Sequence, residues 1–346
     1  MNPPIRVLIA DGSPRTEEAL TGLISRAPDL RLVAHTHCGR RALELAREHR
    51  PDVAILDALL PRLDGISLAG QLMIEAPCRI LVTTQGSEVG LSSHALRNGA
   101  LEVLRKPPCT MSFDAFGERL LRDIRLMAEI PVVRRRPWRS SRPPSSLRPC
   151  GRLHGFGLVA STGGPPALAT LLSLIGPGVR FPLLIAQHLS GGFTRSLARW
   201  LAEASRLPVE VARPGVWPQP GHVYLPPDQH HLQLEPTGQL SVEPATELLC
   251  PSGDKLLASL ARAFGSMTGG AVLTGMGRDG AAGLRSIHDA GGLTFVQTPD
   301  SCVVGGMPTA ALRSGAARWS LSLEELATTL RSLPGPLPAP HSFGSH

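Results

Sequence analysis

Val159-Ala160-Ser161-Thr162-Gly163-Gly164 closes an apolar run with a small polar loop and leads into a helix-like stretch that starts at Pro165. The same order recurs twice. Ala186-Gln187-His188 ends the apolar run 181–187, and Leu273-Thr274-Gly275-Met276-Gly277-Arg278-Asp279-Gly280 closes the run 271–274. Strand, loop and helix repeated in this way predict an open, doubly wound parallel sheet, in which loops at the carboxyl ends of the strands gather at one crevice. Residues far apart in the chain then meet there. Each loop offers one member of a nucleophile–base–acid set: Ser161, His188 and Asp279.

Each segment alone has a plainer reading. Ser161-Thr162-Gly163-Gly164 reads as a helix N-cap, as a glycine-rich anion loop, or as a nucleophile beside amides that stabilise an oxyanion. The loop lacks the spacing of a Walker motif or a dinucleotide fingerprint. His188 alone is an ordinary strand-end histidine, and Asp279 alone is a turn residue between glycines. Their combination in sheet order is stronger than any part. Around them, 165–173, 193–204, 252–264 and 281–290 read as helices, and another starts at 308. Positions 155–160 and 293–297 read as strands, and 209–244 as short strands with turns, including 222–225 and 231–234.

The first half of the chain repeats the alternation. Strands are expected at 5–10, 31–35, 53–56, 79–83 and 101–104, and helices at 16–26, 40–50, 66–75, 90–98 and 112–127. Five such units predict a second parallel sheet. Asp11 follows the first strand, Asp57 ends the buried run Val53-Ala54-Ile55-Leu56, Thr83 ends the fourth strand, and Lys106-Pro107 follows the fifth. A carboxylate flanked by a hydroxyl and a lysine suits acceptance of a phosphoryl group, whose new oxygens those donors bind.

These residues, with Leu60-Pro61-Arg62-Leu63-Asp64-Gly65, resemble the response-regulator receiver over roughly residues 4–127. The resemblance implies a flavodoxin-like five-stranded sheet, phosphorylation of Asp57 by a chemotaxis-type histidine kinase, Thr83 and Lys106 as switch residues, and Mg²⁺ held by Asp11 and Asp57. Receivers usually carry two adjacent acids after the first strand, whereas this chain has Asp11-Gly12. Mg²⁺ demands near-ideal octahedral oxygen coordination, so the missing acid is expected to weaken its binding.

The second half closely resembles the catalytic domain of the chemotaxis protein-glutamate methylesterases. The matching segments are Ala160–Pro165, Gln187-His188, Leu273–Ala281, Gly221–Pro226 and Ser301-Cys302-Val303-Val304-Gly305-Gly306-Met307-Pro308. A receiver ahead of this domain is that family's own architecture. The resemblance implies hydrolysis of glutamate γ-methyl esters on methylated chemoreceptors, and deamidation of receptor glutamine by the same acyl chemistry. Ser161 would attack, His188 would move the proton and Asp279 would orient the imidazole. Thr162 and Met276 are the candidates for the oxyanion hole. The esterase itself needs no cofactor. The unphosphorylated receiver would restrain it, and a phosphoryl group on Asp57 would release it.

Composition bounds the alternatives. A chain of 346 residues with 4% aromatics predicts two domains with aliphatic cores. The divisions expected are a receiver at 1–130, a linker at 131–150, a catalytic domain at 151–332 and a Pro-rich tail at 333–346. The net charge of +7 invites a nucleic-acid reading until it is located. Arg134, Arg135, Arg136, Arg139, Arg142 and Arg148 fall within 131–150, where there is no acid, and the remainder is nearly neutral. That segment reads as a disordered linker. No helix-turn-helix pattern follows it, so no nucleic-acid partner is expected. No apolar run approaches the roughly 20 residues of a transmembrane segment, and no signal peptide is visible, so a cytoplasmic protein is expected. The 6 cysteines form no C-x-x-C pair and read as reduced thiols. Cys302, in a loop-like stretch, is the one to test for reactivity, although a structural thiol is the simpler reading. A non-catalytic signalling module that retains the esterase fold for binding is the alternative to an enzyme.

Overall fold

The computed structural model describes residues 3–85, 95–96, 98–107, 113–128, 152–189, 191–246 and 249–336. The Arg-rich segment 131–150, the tail beyond 336 and most of the helix expected at 90–98 lie outside the described residues. The chain forms two compact units, each built on a parallel sheet.

The first sheet contains β1 (Ile5–Ala10), β2 (Leu30–Thr36), β3 (Val53–Asp57), β4 (Arg79–Thr84) and β5 (Glu102–Arg105), in the order β2-β1-β3-β4-β5. Every pairing is parallel. This is the flavodoxin-like order, with its topological switch between β1 and β3. Asp11 and Asp57 stand at the carboxyl ends of those two strands. β3 is buried at every residue, as a strand covered on both faces must be. The first helix, Pro14–Ser25, starts two residues before the expected position. Ser13 caps it and Pro14 occupies its first turn, where a missing N–H costs nothing.

The second sheet contains β6 (Gly155–Ala160), β7 (Leu183–Gln187), β8 (Val209–Val211), β9 (Val223–Leu225), β12 (Thr268–Val272), β13 (Leu293–Gln297) and β14 (Trp319–Leu321). Their order is β14-β13-β12-β6-β7-β9-β8. Between β9 and β12, β10 (His230–Leu234) and β11 (Leu240–Pro244) pair as an antiparallel hairpin. The chain winds from β6 towards β7, then returns to the other side of β6 at β12. The crevice of this sheet therefore opens between β6 and β12.

β12 lies earlier than expected, because Gly269-Gly270 reads as loop yet runs through the sheet. A Cβ on Gly269 would sit 2.7 Å from the Phe156 ring, and one on Gly270 would sit 2.9 Å from Leu257 Cδ2. The glycines admit close neighbours rather than a turn. β7 starts at Leu183, after Pro182, which has no N–H to give. β14 and the helix Leu323–Ser332 are additions to the sequence reading; that helix opens with a complete Ser322/Glu325 capping box.

One packing relation sets up the site. The helix Gly253–Phe264 lies on β6 with its side chains in the gaps left by glycines. Cβ atoms built on Gly155 and Gly157 would lie 3.0 Å from Leu260 Cδ2 and 2.8 Å from Leu260 Cδ1, and one on Gly253 would overlap Val159 Cγ1. Residue 253 thus sits at the end of β6 and residue 260 near its start. The helix runs antiparallel to the strand, and its N-terminus arrives at the carboxyl edge of the sheet. Among the described residues no helix is long and apolar enough to cross a membrane.

Candidate active site

Ser161, His188 and Asp279 follow β6, β7 and β12, three neighbouring strands. His188 Nε2 stands 2.8 Å from Asp279 Oδ2. The proton in that bond belongs to the imidazole, because an ionised carboxylate only accepts. Nδ1 is then the basic nitrogen of His188.

Asp279 is 6% exposed and its two oxygens are fully occupied. Oδ2 also accepts from Gly253 N at 2.6 Å, and Oδ1 from Asp254 N at 3.0 Å and Ser252 Oγ at 3.4 Å. These amides are the first N–H groups of the helix Gly253–Phe264, which have no partner inside the helix. Ser252 Oγ accepts from Lys255 N at 3.3 Å and satisfies the next one. Burial acts against the Asp279 charge, yet His188 and the two amides outweigh it and hold the carboxyl below its ordinary value. Ser252 N in turn donates to Nδ1 of the fully buried His231, 2.9 Å away.

The nucleophile loop does not end as a cap. The following helix, Gly164–Ile175, has Gly163 at its N-cap and no side-chain capping bond. Gly163 has φ of 74°, the left-handed region that favours glycine. Ser161 N donates to Thr274 O at 3.0 Å, and a Cβ on Gly275 would come within 2.8 Å of Ser161 Cβ. The β12 loop therefore lies directly against the serine. Among the described residues no hydrogen bond occupies the N–H of Thr162 or Met276.

Two glutamines staple these loops together. Gln187 Nε2 donates to both Ser161 O and His188 O, each at 2.9 Å. Gln297 accepts from Thr274 N at 3.0 Å and donates to Ser301 O at 3.0 Å. Each ends a strand one step outside the central pair β6 and β12, and ties its own loop to a central one. Thr274 Oγ1 adds a donation to Thr162 O at 3.0 Å and accepts from Val304 N at 2.9 Å.

In the first unit, Lys106 Nζ lies 2.6 Å from Asp11 Oδ2 and 3.0 Å from Asp57 Oδ2. Asp11 Oδ1 accepts from Ser13 N at 2.9 Å, and Asp57 Oδ1 from Leu59 N at 3.2 Å. Burial pushes the Asp11 carboxyl above its ordinary value in spite of Lys106. The Thr83 hydroxyl donates to Leu56 O at 3.4 Å.

Comparison with known proteins assigns a family to each unit. Residues 156–330 match the family model of the CheB methylesterase, and residues 7–112 that of the response regulator receiver domain. A protein-glutamate methylesterase/protein-glutamine glutaminase 3 of Myxococcus xanthus is 47% identical over 89% of this chain and 88% of its own length. Its homologue 4 from the same organism is 39% identical over 96% of this chain and 97% of its own length. The chain belongs to the CheB methylesterase family. The crystal structure of the Thermotoga maritima CheB methylesterase catalytic domain aligns at 30% identity and a TM-score of 0.49, covering 52% of this chain and 98% of that one.

As a CheB methylesterase preceded by a receiver, the chain places Ser161, His188 and Asp279 at three neighbouring strand ends, and among the described residues no hydrogen bond joins the Ser161 hydroxyl to His188. His188 bonds Asp279, Ser161 shares the Gln187 staple with His188, and Asp11, Asp57 and Lys106 form one cluster. The residues present fit Mg²⁺ poorly. Two carboxylates face the site, the Lys106 ammonium already lies between them, and Gly12 contributes no oxygen from a side chain. Among the described residues no three His, Cys, Asp or Glu side chains are placed to hold a metal ion. Cys302 is buried and its thiol is pushed up to about 12 by that burial, so it is a structural thiol rather than a reactive one. Among the described residues Cys38, Cys78, Cys250 and Cys302 form no disulfide. The residues that sequence reasoning left without a role are Gln187, Gln297, His231 and the Ser252–Asp254 turn. Ser252 followed by Asp254 does signal a helix start, but nothing local says that the helix caps an acid 25 residues ahead.

Proposed function

We propose that this chain is a serine esterase that hydrolyses glutamate γ-methyl esters on methylated chemoreceptors, releasing glutamate and methanol. The catalytic residues in this reading are Ser161, His188 and Asp279. What carries the reading is the 2.8 Å bond between His188 and Asp279 at the end of the strand next to the Ser161 loop.

In the reaction, His188 Nδ1 takes the Ser161 proton as Oγ attacks the ester carbonyl. The carbonyl oxygen becomes an oxyanion between the N–H groups of Thr162 and Met276. The intermediate collapses, His188 returns the proton to the methoxy oxygen, and methanol leaves. Water, deprotonated by the same nitrogen, then attacks the acyl-enzyme and frees glutamate and Ser161. Asp279 keeps the proton on Nε2 and stabilises the imidazolium. Glutamine would follow the same course with ammonia as the leaving group, consistent with the second activity in the relatives' names.

The divisions proposed are a receiver at 1–130, a linker at 131–150, a catalytic domain at 151–332 and a tail at 333–346. A chemotaxis-type histidine kinase would phosphorylate Asp57, with Lys106 and Thr83 as its switch residues, and the phosphorylated receiver would raise esterase activity in the cytoplasm. Mg²⁺ is assigned no step, because the cluster fits it poorly.

The test is methanol release from methylated receptor by the full chain and by Ser161→Ala. Loss of at least about 10³-fold in the variant supports the esterase. Methanol release by neither protein, with receptor still bound, would favour the non-catalytic module.

A further inference from the structure

Two helices of the catalytic unit exchange acids at their N-termini. The helix Gly253–Phe264 has its first two N–H groups bound by Asp279, which precedes the helix Ala281–Asp289. That second helix has Gly280 at its N-cap and no side-chain capping bond of its own. Its third N–H, Gly283 N, donates instead to Asp254 Oδ1 at 2.7 Å, and Asp254 belongs to the first helix. The Gly280 and Ala282 amides face the same carboxyl. Asp279 thus adds acceptors for two amides beside the Ser252 cap of the first helix, and the second helix, which has no capping side chain of its own, receives from Asp254 the acceptor that an N-cap usually supplies.

The exchange needs the helix ends to be close, and Gly283 makes them so. A Cβ there would lie 2.6 Å from Asp254 O and 2.8 Å from Leu257 Cβ. Gly280, with φ of 86°, turns the chain between Asp279 and the helix it precedes. The backbone that carries Asp279 is therefore anchored two residues later in a helix whose free amides Asp254 holds. Asp254 has no place in the proton-transfer steps, and its own carboxyl is pushed above its ordinary value by burial.

We propose that Asp254 is a positioning residue of the triad: by capping the helix Ala281–Asp289 in exchange for the cap that Asp279 gives the helix Gly253–Phe264, it fixes the orientation in which the Asp279 carboxylate meets His188. The inference rests on the esterase reading above.

The experiment compares the full chain with Asp254→Asn and Asp254→Ala. Both variants remove the same charge, and only asparagine retains an acceptor for Gly283 N–H, so the difference between them reads the cap alone. The expected result is that Asp254→Asn stays within about threefold of the parent. Asp254→Ala should lose about 10–100-fold in kcat with KM nearly unchanged, as misplacement of a catalytic group by a fraction of an ångström would cause. Its kcat/KM pH profile should depart from that of Asp254→Asn, whose profile should match the parent's. Its low-field His188 imidazole proton resonance should also shift or broaden, and in Asp254→Asn that signal should persist. Equal kcat and equal pH profiles for the two variants would overturn the proposal. If Asp254→Ala does not fold, Asp254→Asn decides alone: a folded asparagine variant that has lost activity overturns the proposal, and one that retains both activity and the low-field resonance supports it. An inactive parent would instead strike the esterase reading itself, which keeps the two failures apart.

Discussion

Asp279 stays ionised in a buried place because its charge is distributed over four donors. Burying an unpaired carboxylate would cost several kcal/mol. Here the helix amides and the imidazole reverse that penalty, and the group's folded value falls below its unfolded one. A depressed acid contributes stability that is fully present above the unfolded value, about 3.9, and is lost as pH falls through the folded value. Asp279→Asn should therefore destabilise the catalytic unit near neutral pH, and the gap between parent and variant should shrink as pH drops below about 4. Urea unfolding of both proteins at several pH values measures this; a gap that widens on acidification would contradict it. The same variant should lose on the order of 10³–10⁴-fold in kcat, because an amide in that position favours the wrong imidazole tautomer. The positions of Ser161, His188 and Asp279 at strand ends were legible in sequence because each sits in a loop with its own short motif. The partners of Asp279 were not, since they are backbone amides and a cap hydroxyl whose identity depends on where a distant helix ends up.

At the scale of elements, the helix Gly253–Phe264 is held by spaces left in the strands beneath it. Gly157 accommodates Leu257 and Leu260, and Gly270 accommodates Leu257 again. Gly157→Ala forces a methyl group against two fully buried leucines. Overpacking of this kind costs about 1–3 kcal/mol and moves the helix outward. Thermal unfolding should report the loss of stability. Methanol release should fall further than stability alone explains, because the same movement draws the amides of Gly253 and Asp254 away from Asp279. A variant that is destabilised yet fully active would show that the helix can move without disturbing the acid. Gln187 offers a second test at this scale. Gln187→Leu removes the donor shared by Ser161 O, which keeps the Gly164 N–H, and His188 O, so a loss of stability and of kcat together is expected. Strand spans such as Gly155–Ala160 and Leu293–Gln297 were readable from their apolar runs. β12 was displaced because glycine pairs look alike in a turn and in a tightly packed strand. The three-residue β14 was too short to carry a periodic signal at all.

For the whole molecule, the question is whether a receiver with Gly12 still passes on a phosphorylation signal. In its described geometry Asp57 is held by Lys106 at 3.0 Å and by Leu59 N at 3.2 Å, and Asp11 shares the same ammonium. The Lys106 ammonium offsets one of the two carboxylate charges, and an incoming Mg²⁺ would have to compete with it while lacking one carboxylate. Octahedral coordination would then depend on water and backbone oxygens. Position 12 has space for the missing acid, with little to spare. A Cβ there would lie 3.1 Å from Leu59 O, 3.6 Å from Pro61 Cδ and 3.9 Å from Asp57 Oδ2, and the backbone does not adopt the left-handed region that excludes aspartate. Gly12→Asp would thus place a carboxylate facing Asp57 at the cost of a small shift in the Leu59 loop. Labelling of Asp57 by a small-molecule phosphodonor should need at least about tenfold less Mg²⁺ in this variant than in the parent. If the receiver controls the esterase, the phosphodonor should also stimulate methanol release more strongly in Gly12→Asp. Full labelling of the parent at sub-millimolar Mg²⁺ would mean that Asp11, Asp57 and backbone oxygens suffice. Efficient labelling of the variant without added methanol release would mean that the receiver has been uncoupled at a point beyond its acids.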